Sequence, residues 1–156
     1  MEQRNEDRFL VDQMLLRLGR WLRLVGKDVA NAGEVDDREL VQKSRLENRT
    51  LITRDRDLAE LCRISGVDCI LINSNGLNDQ MKEMARIGIK LQLNPQRCTI
   101  CNGTLREPVK CIDNENGHLQ NIKKTWECED CGKLYWAGSH WKKIEEILEK
   151  ICSGKC

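Results

Sequence analysis

The sequence lacks a long hydrophobic run and an excess of charge of either sign. No stretch is long or apolar enough to span a bilayer, so we expect no contact with a membrane. The charged start, MEQRNEDR, is not a signal peptide, and we expect a cytoplasmic protein. The net charge is only +1, so no global field predicts nucleic-acid binding. Any such function has to rest on local clusters of charge.

Aromatic residues are also few, with one Phe, one Tyr and four Trp. Three of the tryptophans lie in the last third of the chain, together with two C-x-x-C pairs. Charged residues make up 33% and hydrophobic residues 40%, which is typical of a globular rather than a disordered protein. The concentration of tryptophans and paired cysteines in the last third of the chain predicts two domains, at residues 1–93 and 94–156. The three tryptophans are Trp126, Trp136 and Trp141.

Hydrophobic periodicity predicts that strands and helices alternate in residues 1–93. The apolar run 9–11 stops at Asp12, and apolar residues then recur at helical spacing up to Val25. Strands that alternate with helices form a parallel sheet covered by helices, so we expect an α/β fold. Further strands are predicted at 28–30, 49–53 and 67–73, helices at 37–47, 57–65 and 77–87, and an extended piece at 89–93.

Two of these strands run into an aspartate, at Asp12 and at Asp55. If the strands are neighbours, both carboxylates lie at the same edge of the sheet. Asp37 opens a helix on that edge, and Asp57 follows Asp55 by two residues. Crowded carboxylates repel one another, and Mg²⁺ or Mn²⁺ would relieve that repulsion. We therefore predict that these four acids are catalytic and that Asp12, Asp37 and Asp55 hold the metal ion.

Aspartate is also a favoured N-cap, which is the alternative role for each of these acids. Because they end apolar strands, Asp12 and Asp55 are the acids for which we expect a site rather than a cap. Two pairs fit a D-x-x-E variant of the capping box, namely Asp36 with Glu39 and Asp57 with Glu60.

Several arginines flank the predicted carboxylate edge. A guanidinium group matches the geometry of a phosphate, so the cluster favours an RNA phosphodiester as substrate. The alternative is that these arginines are solvated or pair with nearby acids. Gly19 lies inside the first helix, at a cost of about 1 kcal/mol relative to alanine, and indicates close packing or close approach of a ligand. The arginines are Arg17, Arg20, Arg23, Arg54 and Arg56, of which we expect all but Arg56 to bind substrate.

The series FLVDQMLLRLGRWLRLVG, DREL and ENRTLITRDRDL resembles the PIN-like ribonuclease family related to the C-terminal RNase domain of the Mut-seven protein. The acids of that pattern correspond to Asp12, Asp37 and Asp55. The resemblance implies a PIN-like three-layer α/β domain with a central parallel sheet, followed by a zinc ribbon. It also implies metal-dependent RNA cleavage, and it is compatible with a homodimer. One departure is that the neutral residues 73–75 replace an acid that often follows a later strand.

The pairs Cys98–Cys101 and Cys128–Cys131 have the spacing of two zinc knuckles, which predicts a closed, structural Zn²⁺ site. A redox pair and an iron site are the alternatives. We expect the glycine after each pair, Gly103 or Gly132, to adopt the positive φ of such a turn. About sixty residues with few apolar side chains cannot bury a large core, so they need a bound metal ion to fold stably. The other cysteines, Cys62, Cys69, Cys111, Cys152 and Cys156, are not expected to be ligands.

Strands at 124–127 and 133–136 are predicted to flank the second pair, and Ser139 is predicted to cap a last helix. The helix carries Trp141, Ile144, Leu148 and Ile151 on one face. Lysines interleave with aromatic residues here, a pattern that can bind single-stranded RNA. Trp141 is the best candidate for that contact, and the alternative is that at least two tryptophans form the core of the ribbon. The lysines are Lys123, Lys124, Lys133, Lys142 and Lys143; His118 is expected in a loop.

These observations favour a metal-dependent endoribonuclease whose zinc ribbon contacts RNA or a ribonucleoprotein partner. A second hypothesis is a non-catalytic RNA- or ribonucleoprotein-binding adaptor, which the missing late acid favours. A third hypothesis is a protein–protein interaction module without affinity for RNA.

Overall fold

The computed structural model describes residues 7–107 and 124–154. The expectations for Cys111, His118, Lys123 and Cys156 concern residues outside these ranges. The described chain is an α/β protein with a central parallel sheet, as predicted, followed by a small antiparallel sheet and a long helix. Among the described helices, none has the length and apolar character that would let it cross a membrane.

Within the described ranges, the central sheet has four parallel strands: β1 (Arg8–Val11), β2 (Asp28–Asn31), β3 (Thr50–Thr53) and β4 (Cys69–Leu71). Their order in the sheet is β2-β1-β3-β4. Val11 at the end of β1 is paired with Asn31 of β2 and with Ile52 of β3, so these strands end at one edge. The predicted strand 67–73 is reduced to three half-buried residues, because β4 lies at the side of the sheet.

The first and last residues of the observed helices lie close to those predicted. A 3₁₀ turn, Gln13–Leu15, precedes the first helix, and Gly26 ends that helix in the left-handed region at φ 87°. Residues 89–93 do not form a strand, although Ile89 and Leu91 are buried in the core. The helices are α1 (Leu16–Leu24), α2 (Asp37–Glu47), α3 (Arg56–Ser65) and α4 (Leu77–Arg86).

Both faces of the sheet are covered, which gives three layers. On one face, Leu18 and Leu22 of α1 pack with Met81 and Met84 of α4. On the other face, side chains of α2 and α3 form a second cluster that includes the buried Cys62. A fully buried leucine or methionine stabilises the fold by roughly 1.5–3 kcal/mol, so the two clusters hold the helices on the sheet.

Gly19 lets α1 approach the sheet closely. A Cβ atom at this position would lie 3.0 Å from Cγ2 of Val11 and 3.5 Å from Cγ1 of Val29. Both valines are fully buried and belong to the sheet. Close packing, one of the two explanations that the sequence allows, therefore accounts for this glycine.

In its described residues, the C-terminal part has three antiparallel strands and one helix. The helix has Gly138 as its N-cap residue, without a side-chain hydrogen bond, so the predicted cap at Ser139 is wrong: Ser139 is the first helical residue. Ile144, Leu148 and Ile151 are buried in the same core as α1 and α4. The domain boundary at residue 94 stays a prediction. The elements are β5 (Leu105–Arg106), β6 (Thr125–Cys128), β7 (Leu134–Trp136) and α5 (Ser139–Cys152).

Candidate active site and metal centre

Asp12 and Asp55 follow adjacent parallel strands and are connected through Thr53. Asp12 is only 8% exposed; its Oδ1 accepts a hydrogen bond from the backbone N–H of Met14 at 2.9 Å. Its Oδ2 accepts a hydrogen bond from the hydroxyl of Thr53. The same hydroxyl oxygen accepts the backbone N–H of Asp55 at 3.0 Å. One threonine hydroxyl therefore fixes Asp12 and the start of α3 relative to each other.

Asp55 is the N-cap of α3. Its Oδ1 accepts the backbone N–H groups of Asp57 at 2.8 Å and of Leu58 at 3.2 Å. Asp12 likewise caps the 3₁₀ turn through Met14. The prediction that a strand-end position frees these two acids from capping is therefore wrong. Asp55 is nevertheless exposed to solvent, and only its Oδ1 is used by the cap.

The remaining acids divide into a cap and two exposed side chains. Asp36 and Glu39 form the predicted capping box, with Oδ1 of Asp36 2.9 Å from the backbone nitrogen of Glu39. Asp37 is the first residue of α2 and is exposed. Asp57 is also exposed, but Asp55 is the cap of its helix, so the predicted capping box of Asp57 and Glu60 is wrong.

Within the described residues, no three carboxylates bring their oxygens within 4.8 Å of one another. The shared metal site of Asp12, Asp37 and Asp55 therefore stays a prediction. Mg²⁺ usually keeps several water ligands and is bound through one or two carboxylates, so a tight group of three is not required.

Glu83 of α4 places a carboxylate at the end of β4, where the sequence has no acid. Its Oε1 accepts the backbone N–H of Ser74 at 2.7 Å, and its Oε2 accepts that of Asn73 at 3.1 Å. Burial alone would raise the pKa of Glu83, but the hydrogen bonds from Ser74 and Asn73 outweigh it and lower that pKa. The sequence does not reveal this contact, because Glu83 is ten residues away on a helix.

The flanking arginines differ in how far they are available to a ligand. Arg17 and Arg20 are exposed on α1. Arg54 is half-buried after β3; its Nη2 donates to Oδ1 of Asn75, and its buried Nε has no hydrogen-bond partner. A buried N–H without a partner costs free energy.

Arg23 is buried and is used entirely within the protein. It is 3% exposed, and its Nε donates to the carbonyl oxygen of Val29 at 2.8 Å. Its Nη1 donates to the carbonyl oxygen of Thr99 at 2.9 Å, and its Nη2 to Oδ1 of Asn31 at 3.1 Å. Arg23 thus joins α1, β2 and the first cysteine pair. Arg23 therefore has no free N–H surface for a substrate, contrary to its expected role in binding one.

The four predicted cysteines are positioned to bind a metal ion. Their sulfur atoms all lie within 4.8 Å of one another, with Cys98–Cys131 at 3.7 Å and Cys101–Cys128 at 3.4 Å. Four sulfurs about 2.3 Å from a tetrahedral ion would be separated by about 3.8 Å, which these distances approach. The donor set and its spacing therefore fit a tetrahedral metal ion.

Hydrogen bonds support this thiolate cluster from outside. The hydroxyl of Tyr135 lies 3.0 Å from the sulfur of Cys98, and the backbone N–H of Gly103 donates to the sulfur of Cys101 at 3.4 Å. Burial would raise the pKa of Cys98, but the bonds from Tyr135 and from the backbone of Cys101 and Ile100 hold it at about 6. Cys98 is thus predisposed to act as a thiolate ligand.

The first knuckle turns at Asn102 rather than at the glycine that was predicted. Asn102 has φ 65°, whereas Gly132 has the expected positive φ of 73°. Gly103 is required for space, because a Cβ atom there would lie 2.8 Å from the sulfur of Cys128. The Asn102 side chain accepts the backbone N–H of Val29 at 2.9 Å, so the knuckle packs against the edge of β2.

The tryptophans of the C-terminal part have different environments. Trp126 and Trp141 stack with ring centroids 4.7 Å apart and an interplanar angle of 11°. Trp126 is buried and Trp141 half-buried, as the alternative of a tryptophan core predicts. Trp136 is 56% exposed. The structure therefore makes Trp136, rather than Trp141, the tryptophan with most surface free for a ligand.

The structure is that of an α/β protein with acids near one edge of its parallel sheet and an attached four-cysteine cluster that is positioned to bind a metal ion. The chain belongs to the Mut7-C RNAse domain family, whose sequence model matches residues 7–148. The match spans both the parallel sheet and the four cysteines, which confirms the resemblance seen in the sequence. It indicates a ribonuclease-type function and an RNA substrate. No curated protein matches the chain.

Proposed function

We propose that this protein is a metal-dependent endoribonuclease that cleaves RNA phosphodiesters at the carboxyl edge of its parallel sheet. The observation that carries the proposal is the placement of Asp12 and Asp55 after adjacent strands, with Thr53 connecting them. Mg²⁺ or Mn²⁺ would be held by these two acids, together with Asp37 and Asp57 directly or through water. When bound, such an ion polarises the phosphate and lowers the pKa of a bound water.

The acceptor capacity of Asp12 and Asp55 supports this assignment. Each oxygen of an ionised carboxylate can accept about two hydrogen bonds or metal contacts. Asp12 uses one acceptor position on each oxygen, for Met14 and Thr53. These bonds orient the carboxylate and leave one acceptor position on each oxygen free to contact a metal ion. Asp55 is exposed and uses only Oδ1 in its cap, so its Oδ2 can contact a cation.

Arg17 and Arg54 would hold the phosphates on either side of the scissile bond, and Arg20 would hold a phosphate farther along the strand. A guanidinium presents several N–H donors in a rigid plane, which suits two oxygens of one phosphate. Arg54 directly follows β3, at the edge of the sheet where Asp12 and Asp55 lie. Because these contacts neutralise phosphate charge, we expect RNA affinity to decrease steeply with salt.

We assign the ion of the four-cysteine centre as Zn²⁺ with a structural role. Four thiolates fill a tetrahedral site and leave no position for a substrate or a catalytic water. The centre would instead hold the ribbon against α1 and β2 through Arg23 and Asn102. The ribbon would then present a rigid surface to RNA or to a ribonucleoprotein partner.

Cleavage of a fluorescent single-stranded RNA in Mn²⁺ tests the proposal, with Asp12→Asn compared with Asp36→Asn. Both replacements keep a side chain that can cap a helix, but only Asp12 belongs to the proposed site. We expect Asp12→Asn to lower kcat at least about 100-fold, because one charged metal ligand is lost. Asp36→Asn should cleave like the unmodified protein, and zinc content should be equal in all three.

Depletion of Mn²⁺ and Mg²⁺ should stop cleavage, and Mn²⁺ added back to zinc-loaded protein should restore it. The proposal is wrong if cleavage continues at the same rate in Asp12→Asn and without added divalent ions.

A non-catalytic RNA-binding adaptor is the second candidate function. The neutral residues after β4 favour it, as does the use of Glu83 by backbone amides at that position. An adaptor would bind RNA without cleaving it in Mn²⁺, and Asp12→Asn would bind with unchanged affinity. The same set of proteins therefore separates the two functions.

A further inference from the structure

A groove of about 680 Å³ lies between α1, β7 and α5, where the α/β part meets the cysteine-rich part. Its walls are mainly apolar and aromatic, with Trp21 on α1, Trp136 on β7 and Ile147 on α5. Trp141 also lines the groove and is supported from behind by Trp126, on which it stacks. The groove is therefore built from three separate elements, and the stacking of Trp141 on Trp126 holds one aromatic wall in place.

The charge of this groove is one-sided. Arg20, Lys133 and Lys143 line it together with His140, and none of the acids in residues 7–107 and 124–154 does. The whole chain, by contrast, has 26 Lys and Arg against 25 Asp and Glu. The ammonium group of Lys133 lies 5.3 Å from the centre of the Tyr135 ring, which favours its position at the rim. The groove thus combines an apolar interior with positive charge, as an anionic aromatic ligand requires.

Trp136 is the most accessible aromatic surface of the groove. It is 56% exposed, yet its indole packs on the backbone at Gly138, where a Cβ atom would lie 3.3 Å from Cδ1 of Trp136. The ring is therefore supported while most of its surface faces solvent. Nucleic-acid bases stack on such rings with little dependence on base identity.

The groove also lies within reach of the acid edge. Arg20 follows Asp12 by eight residues along the 3₁₀ turn and α1, which at the helical rise corresponds to roughly 12 Å. A single strand that enters the groove could therefore reach Asp12 within a few nucleotides.

We propose that this groove binds an unpaired base of a single-stranded RNA substrate, with Trp136 stacking on the base and Arg20, Lys133 and Lys143 contacting the adjacent phosphates. This inference rests on the proposed ribonuclease function and narrows its substrate to RNA with unpaired bases. Bases inside a duplex are stacked on both sides and cannot enter the groove. Cationic charge at the rim of an aromatic surface favours a nucleotide over an uncharged peptide.

Fluorescence anisotropy of a short labelled single strand tests the inference on the full-length, zinc-loaded protein without added Mg²⁺ or Mn²⁺. We expect Trp136→Ala to weaken binding about 5- to 150-fold, the effect of losing one stacked base. Trp136→Phe should recover most of the affinity, because a phenyl ring still stacks. Leu46→Ala is the matched control: Leu46 is 77% exposed on α2, outside the groove, and its loss should leave binding unchanged.

A duplex of the same sequence should bind more weakly than the single strand and should be insensitive to Trp136→Ala. Equal affinity of Trp136→Ala and the unmodified protein for the single strand would overturn the inference. Absence of single-strand binding, together with Trp136-dependent binding of an acidic peptide, would also overturn it and make the groove a protein-docking surface. Because binding is measured without the catalytic ion, its outcome is independent of whether Asp12→Asn abolishes cleavage.

Discussion

Asp28 is the most highly connected acid among the described residues, and it lies outside the proposed active site. At the start of β2 it accepts from Nη1 of Arg49 at 2.7 Å and from Nδ2 of Asn102 at 2.6 Å. Arg8 and Arg97 approach its other oxygen at 3.4 and 3.7 Å. Burial would raise the pKa of Asp28, but the hydrogen bonds from Arg49 and Asn102 and the nearby arginines lower it overall. This carboxylate therefore stabilises the fold in its charged form.

Asp28→Asn should destabilise the protein by about 2 kcal/mol near neutral pH, because it leaves the cationic groups around it without their anion. A lowered pKa in the folded state means that this stabilisation is present above the unfolded pKa of about 3.9 and is lost as the pH falls through the folded value. Urea unfolding of both proteins near neutral pH and below about pH 4 measures the difference. A difference that does not change with pH would show that the charge of Asp28 is not its cause.

The charged residues at the sheet edge could be predicted from the sequence. The hydrogen bonds that each of them makes within the protein could not. Asp12 and Asp55 could be placed on one edge because both end apolar runs of a predicted parallel sheet. Their caps could not be predicted, because a cap depends on where the helix begins to within one residue. Arg23 looked like its neighbours on α1, since helical spacing does not show that a distant cysteine knuckle will cover it.

At the level of elements, the close approach of α1 to the sheet limits what Gly19 can become. Gly19→Ala gains about 1 kcal/mol of helix propensity, but its methyl group would press on Val11, which is fully buried and cannot move away. We expect a net loss of about 1 kcal/mol. In a Val11→Ala background the same change should become stabilising by up to about 1 kcal/mol.

A double-mutant cycle by urea unfolding measures this coupling. Additive effects of the two substitutions would mean that the helix does not press on Val11.

The elements themselves were largely predictable where the hydrophobic period was long and complete. Residues 37–47 show this best, because the predicted helix coincides with α2 (Asp37–Glu47). Residues 67–73 and 89–93 were less predictable, since a short apolar run signals burial without showing whether a partner strand is available. Ile89 and Leu91 are buried by packing, not by pairing.

At the level of the whole molecule, the cysteine centre and the α/β part are joined by buried contacts. α5 contributes Ile144, Leu148 and Ile151 to the core under α1 and α4. Arg23 of α1 donates to the carbonyl of Thr99, and Asn102 accepts from the N–H of Val29 in β2, so polar contacts also join the first cysteine knuckle to the α/β part. Sequence could predict each part separately, but not this interface, because periodicity shows that α5 has an apolar face without showing what covers it.

Removal of Zn²⁺ should therefore destabilise the entire chain instead of unfolding the ribbon alone. We expect one cooperative thermal transition, shifted to lower temperature after chelation and restored when Zn²⁺ is returned, since the metal binds only the folded centre. Far-ultraviolet circular dichroism reports the helices, and tryptophan fluorescence reports mainly the ribbon. Separate transitions for these two signals would contradict the coupling.

The knuckle also occupies the outer side of β2. Both backbone groups of Val29 that point away from the sheet are taken, the N–H by Asn102 and the carbonyl by Arg23. A bare strand at this position would be a template onto which a strand of another molecule could add. By keeping the knuckle folded over β2, the four-cysteine centre would prevent self-association through this strand. Protein without bound metal should therefore precipitate more readily than protein with it.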